Sequence, residues 1–172
     1  ARDSGVAAFE SDLEQLDAQA VVAFVTERGR LPPGQTLADL MEPARFARLT
    51  SMVSEVGMSM ASLQGMQPWM ATITLQGWQL KQLGFTAESG VDHMVDAFAR
   101  QEPSRQRTIV ALEDPIETIR MFSDSPGEVQ LAMLEATLQG MLKGEMEALL
   151  AVYMKGDERG LAGGLAVNDT RL

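Results

Sequence analysis

Gly5-Val6-Ala7-Ala8-Phe9-Glu10 and Thr108-Ile109-Val110-Ala111-Leu112-Glu113 decide how this chain is read. Each is a short apolar run with no helical period, and each stops at a glutamate. Runs of this kind fit strands buried on both faces. The long stretch between them reads mostly as helix. Such a connection suits parallel strands better than a hairpin, because parallel neighbours need a crossover. Parallel strands bring their C-terminal ends to one edge, and open α/β sheets bind ligands beyond that edge. Glu10 and Glu113 are therefore expected to share a cleft as candidate catalytic and metal-ligating residues. Paired carboxylates hold a hard cation, or divide acid and base roles when their surroundings separate their pKa values. The alternative is structural: each glutamate caps a following helix or ends its strand in solvent.

Working outward, a helix is expected from Ala18 to Arg28, with Asp17 as N-cap and Gly29 as stop. Pro32-Pro33-Gly34 is a turn, and Thr36 caps a short helix over Leu37 to Met41. Pro43 suits a first helical position. Phe46, Leu49, Val53 and Val56 then share one face, ended by Gly57. Met58 to Gln67 reads as another short helix. Pro68 opens a helix to about Leu83, stopped by Gly84. Gly90 to Arg100 offers Val91, Met94, Val95 and Phe98 as a core face. Pro115 opens the helix after the second strand. Gly127 to Leu142 and Lys143 to Lys155 read as a helix pair. The second carries an apolar stripe of Met146, Leu149, Leu150, Tyr153 and Met154. The tail beyond Gly163-Gly164 is expected to be loose. The expected class is α+β and predominantly helical, with two short parallel strands, in a single domain over residues 1–172.

The 172 residues suffice for one core, and 45% hydrophobic with 22% charged residues indicates a globular rather than a disordered chain. No apolar run approaches the roughly 20 residues of a membrane helix. The net charge of −10 argues against nucleic acid as a partner, because phosphate contacts need clustered Lys and Arg. The densest basic group, Arg100, Arg105 and Arg107, is diluted by Glu102. An anionic membrane surface is disfavoured for the same reason. Cysteine is absent, which removes disulfides, thiolate catalysis and Cys-ligated zinc.

His93 is the only histidine. It is a candidate metal ligand, yet its helical angle turns it away from the Val91/Met94/Val95/Phe98 face and toward Asp96 and Arg100. The bland alternative is an exposed helix residue. Of the twelve methionines, Met52, Met58, Met60, Met66 and Met70 crowd one region. They are expected to fill gaps between helices. The alternative is an adaptable groove for a peptide, lipid or protein partner, which would make the chain a non-catalytic binding module.

Several segments resemble one family in order and spacing. Leu31-Pro32-Pro33-Gly34-Gln35-Thr36-Leu37-Ala38-Asp39-Leu40 resembles the LPxGxTLxDL segment of TraB/GumN proteins. Gln67-Pro68-Trp69 resembles their KPW helix start, and Gly90-Val91-Asp92 their G-[LV]-D helix start. Ala111-Leu112-Glu113 and Phe9-Glu10 resemble their acidic strand ends. The family is grouped with the Tiki-like proteins and, more distantly, with the erythromycin-esterase-like fold.

The resemblance implies a metal-dependent hydrolase or protease site built from two Gly-x-x-His motifs and a pair of glutamates. Glu10 and Glu113 match that pair. The first histidine motif should lie upstream of Ala1 and the second downstream of Leu172. Gly90-Val91-Asp92-His93 spells Gly-x-x-His but opens a helix instead of following an apolar strand, so the role is not carried to it. The chain is thus expected to be the central part of the domain and inactive alone. The intact parent would use Mn, Co or Zn and act on peptides. Its expected compartment is the periplasm or cell envelope, with the cytoplasm as the alternative. Uncovered strand edges or Met-rich helices lead to an expected homodimer.

Overall fold

Prolines and short acidic side chains set where most of the helices begin. The computed structural model describes residues 6–9, 17–86, 90, 94–95, 97, 108–111 and 114–162. Helix α1 (Ala18–Arg28) starts at Asp17, whose carboxylate accepts the Ala20 N–H at 2.9 Å. Helices α2 (Pro43–Glu55), α3 (Pro68–Gln82) and α4 (Pro115–Ser123) each open on proline. Proline is suited there, since its missing N–H would have no helical partner anyway. Helices α5 (Gly127–Leu142) and α6 (Glu145–Met154) follow as a pair. Single 3-10 turns occupy Leu37–Leu40 and Met60–Ser62. Strands β1 (Val6–Phe9) and β2 (Thr108–Ala111) pair in parallel, from Val6↔Thr108 to Phe9↔Ala111. The molecule is predominantly helical.

The core lies where α3 and α2 pack on α5. Leu131, Leu134 and Leu138 face inward from α5, spaced along one side of the helix. Leu134 and Leu138 share one cluster with Ala71 and Leu75 of α3, Leu49, Met52 and Val53 of α2, and Leu31, Leu37 and Leu63 from the connections. Each fully buried leucine contributes about 1.5–3 kcal/mol over its exposed state. Met58, Met60 and Met66 pack against this cluster, the gap-filling role that suits an unbranched thioether. At the rim, Arg45 of α2 bonds Glu135 and Glu128 of α5, each at 2.8 Å.

Two expectations need correction, and a third element is more exposed than its neighbours. Met58 to Gln67 is not a helix beyond the Met60–Ser62 turn, because its backbone groups pair with the incoming Gly29–Leu37 strap instead. Met94 and Val95 are exposed, at 59% and 46%, so they do not serve a core face; none of the described residues covers them. The α6 stripe is also largely open, with Tyr153 at 62% and Met154 at 75% exposure. The reason is that α6 leans chiefly on α5, and a helix with one main neighbour leaves most of its surface in water. The expected loose tail from Gly163 lies outside the described residues, as does most of the Gly90 to Arg100 segment.

The strap joins α1 to α3. The Leu31 N–H donates to the Gly65 carbonyl at 3.0 Å, and the Leu37 N–H to that of Gln64 at 2.9 Å. The Gln67 N–H donates to the Gly29 carbonyl at 2.8 Å. Gly34 turns the strap at φ +88°, a left-handed conformation that glycine adopts without Cβ strain. Next, the Thr36 N–H and hydroxyl both donate to one Asp39 carboxylate oxygen, at 2.7 and 2.9 Å.

These two bonds, the backbone one foremost, hold the Asp39 carboxyl below its ordinary value of 3.8. A depressed folded-state pKa adds stability that is present above the unfolded value and vanishes as pH falls through the folded one. The wild-type chain should therefore melt above Asp39→Asn near neutral pH, and the two curves should converge as the pH drops below 3.8. A constant gap across that range in a calorimetric pH series would show that the turn does not use the carboxylate's charge.

Candidate functional site

β1 and β2 run side by side in register, so their C-terminal ends, Phe9 and Ala111, lie together. Each strand leads into a helix, β1 into α1 and β2 into α4, and these two helices pack against one another. Glu10 follows Phe9 directly, and Glu113 follows Ala111 after Leu112. Glu10, Glu113 and His93 lie outside the described residues. Among the described residues, no group of three or more His, Cys, Asp or Glu side chains could hold a metal ion. No helix in them is long and apolar enough to cross a membrane.

The helix starts beyond the strands are occupied by other acids. Asp17 caps α1, as its sequence suggested. Asp114 caps α4 by accepting the Ile116 N–H at 2.8 Å, a role the sequence reading passed over. Its signal was present: an aspartate immediately before a helix-opening proline is an N-cap signature. Capping, the structural alternative weighed for the two glutamates, therefore falls to Asp17 and Asp114.

The C-terminal end of α4 is held by Gln130 of α5. Its side chain is buried and joins three elements. The amide oxygen accepts the Trp69 N–H from the first turn of α3 at 3.3 Å. The amide nitrogen donates to the Ser123 and Ser125 carbonyls at 3.2 and 2.8 Å, where α4 ends. Helix ends leave such N–H and C=O groups without helical partners, and burial makes them costly unless bonded. No pattern in the sequence marked Gln130, because a glutamine in a helix ordinarily reads as solvent-facing.

A second join lies between α1 and α4. Arg28 bonds the Ser123 hydroxyl at 3.4 Å and pairs with the Asp124 carboxylate. Arg28 and Arg120 both lie against the Phe24 ring, at 5.4 and 5.7 Å from its centre. Met52, Met58, Met60 and Met66 are engaged with the core.

With this arrangement in place, comparison with known proteins adds a lineage. The model of the TraB/PrgY/gumN family matches residues 1–171. The uncharacterised protein YbaP of Escherichia coli (strain K12) is 30% identical over 131 residues, covering 73% of this chain and 48% of that protein. The Shigella flexneri YbaP matches to the same extent. The chain thus spans about half the length of these relatives. No solved structure matches it.

The Gln130 join makes a direct prediction. Gln130→Leu keeps the volume but leaves the buried Trp69 N–H and two part-buried carbonyls without their partner. Each unsatisfied buried group costs about 1–3 kcal/mol, so the loss should be at least about 2 kcal/mol in urea unfolding. A loss under about 0.5 kcal/mol would mean that water replaces the amide without penalty.

Proposed function

The chain belongs to the TraB/PrgY/gumN family, and from that premise we propose that it is the central portion of a Tiki-like, metal-dependent hydrolase domain acting on peptides. The observation that carries this reading is the parallel pairing of β1 with β2, in register up to Phe9↔Ala111. It supports a cleft beyond the strands' C-terminal edge, where α/β sheets receive ligands. Glu10 and Glu113 stand in sequence just past that edge, and other residues cap both following helices.

In the proposed site the two glutamates are oxygen donors to a divalent cation, Mn, Co or Zn. They could equally divide the acid and base roles, one protonated and one ionised. Two carboxylates suit a hard cation but do not complete a zinc set, which takes four ligands rich in nitrogen or sulfur. Histidines from other parts of the full-length protein would complete it, and His93 has the weaker claim. Such a cation supplies an activated water and a polarised carbonyl. This chain supplies the carboxylates and the two paired strands that precede them. An envelope location belongs to the same proposal, as does a homodimer formed through strand edges, since the Met-rich region is engaged with the core.

Titrating Mn, Co and Zn into the full-length protein tests the reading, with Glu10→Gln and Glu113→Gln in parallel. Each substitution is expected to weaken binding at least about tenfold and to lower peptide hydrolysis. The 172-residue chain alone should turn over nothing. Unchanged affinity in both variants would remove the glutamates from the site, and turnover by the short chain would refute the need for outside histidines.

A further inference from the structure

The helical body and α1 are held by different forces. α3 and α5 meet through Ala71, Leu75, Leu134 and Leu138, all buried in one cluster. In α1, by contrast, the inward residues Ala20, Val21, Phe24 and Val25 are only half-buried. Its contact with α4 centres on one ring and four charges. Phe24 of α1 lies against Arg28 of its own helix and Arg120 of α4. Arg28 pairs with Asp124 at the end of α4, and Arg120 with Glu117 at 3.3 Å. The Arg28 and Asp124 side chains are 47% and 52% exposed, so water and ions reach the pair. The C-terminal end of α1 is separately fastened to α3, by the Gly29 carbonyl and the Arg30↔Met66 bridge.

We propose that the Phe24–Arg28–Arg120–Asp124 cluster is a salt-sensitive clasp, whose release lets α1 open locally from α4 while the α2–α3–α5 body stays folded. Exposed ion pairs and cation–π contacts weaken as the screening length falls from about 30 Å at 0.01 M to about 3 Å at 1 M salt. Apolar packing does not weaken in that way, and added salt tends to strengthen it. The weakest-held element opens first, so its amides exchange through local rather than global unfolding. The α2–α5 join is an internal control. It too has an ion network, Arg45 with Glu128 and Glu135, but Leu49, Val53 and Leu134 lie buried behind it. The inference is independent of the chemistry proposed for Glu10 and Glu113.

Amide hydrogen exchange of the 172-residue chain at about 20 mM and about 500 mM NaCl is the test. Over Ala18–Arg28 exchange should quicken about three- to tenfold at the higher salt, with α2, α3 and α5 unchanged. Asp124→Asn and Arg28→Gln should bring the faster exchange already at low salt and flatten the salt response. Phe24→Leu, which leaves the ion pair in place, should give a partial effect. Exchange over α1 that ignores both salt and Asp124→Asn would overturn the clasp. So would acceleration shared equally by α3 and α5, since that reports global unfolding.

Discussion

The packing of α3 on α5, with Gln130 closing its polar end, is what the rest of the structure depends on. Leucines along the α5 face bury against α3 and α2 in the chain's leucine-rich core. Two helices joined only by leucines could slide in register, because apolar contact is not directional. Gln130 removes that freedom. It matches one donor of α3 and two acceptors at the end of α4, and only one alignment satisfies all three. A buried amide of this kind adds less net energy than a leucine would but specifies a position, since misalignment leaves costly unpaired groups.

From that fixed point the molecule grades outward from apolar to polar attachment. α2 is held by buried Leu49, Met52 and Val53, with Arg45 bridging to Glu128 and Glu135 above them. α4 is held by the Gln130 bonds at its C-terminal end. α1 is held by a ring, two guanidinium groups and carboxylates, plus the backbone strap at Gly29. In sequence the β-strands precede the two polar-held helices, not the leucine-packed ones. Among the described residues neither of these helices contributes a side chain to the buried core, and elements held in this way are the ones that open locally.

Much of this was legible in the sequence where local chemistry decides the outcome. Asp17, Pro43, Pro68 and Pro115 act within one turn of their own helix, and each helix begins where those residues indicate. Periodicity located the α2 face because Leu49 and Val53 meet a partner. The same rule misled at Met94 and Val95, and the stripe of Leu149, Tyr153 and Met154 is apolar but open. A period shows that a face is apolar, not that anything covers it. Gln130 was illegible for the converse reason: its role depends on backbone groups far away in sequence, and no local pattern encodes them. Glu10 and Glu113 were singled out from the strand ends alone, and the pairing of β1 with β2 is the part of that reasoning the backbone supports.

The segments that resemble the family most closely turn out to have structural work. Leu37 is fully buried, Gly34 turns the strap, and Asp39 accepts both Thr36 donors. Pro68 opens α3, and Trp69 is buried while its N–H meets Gln130. Each segment also bonds the residues that flank the other, Leu37 to Gln64 and Gln67 to Gly29. They form one latch that carries the chain from α1 across to α3. A motif whose side chains are already committed to capping, turning and burial has little left to offer a substrate. Recognition of the family therefore rests largely on scaffold, and scaffold alone does not establish chemistry. Asp17, Asp39 and Asp114 are likewise committed to caps, and Asp124, Glu128 and Glu135 to ion pairs. The proposal for Glu10 and Glu113 rests instead on their place in the sequence just past the paired strands.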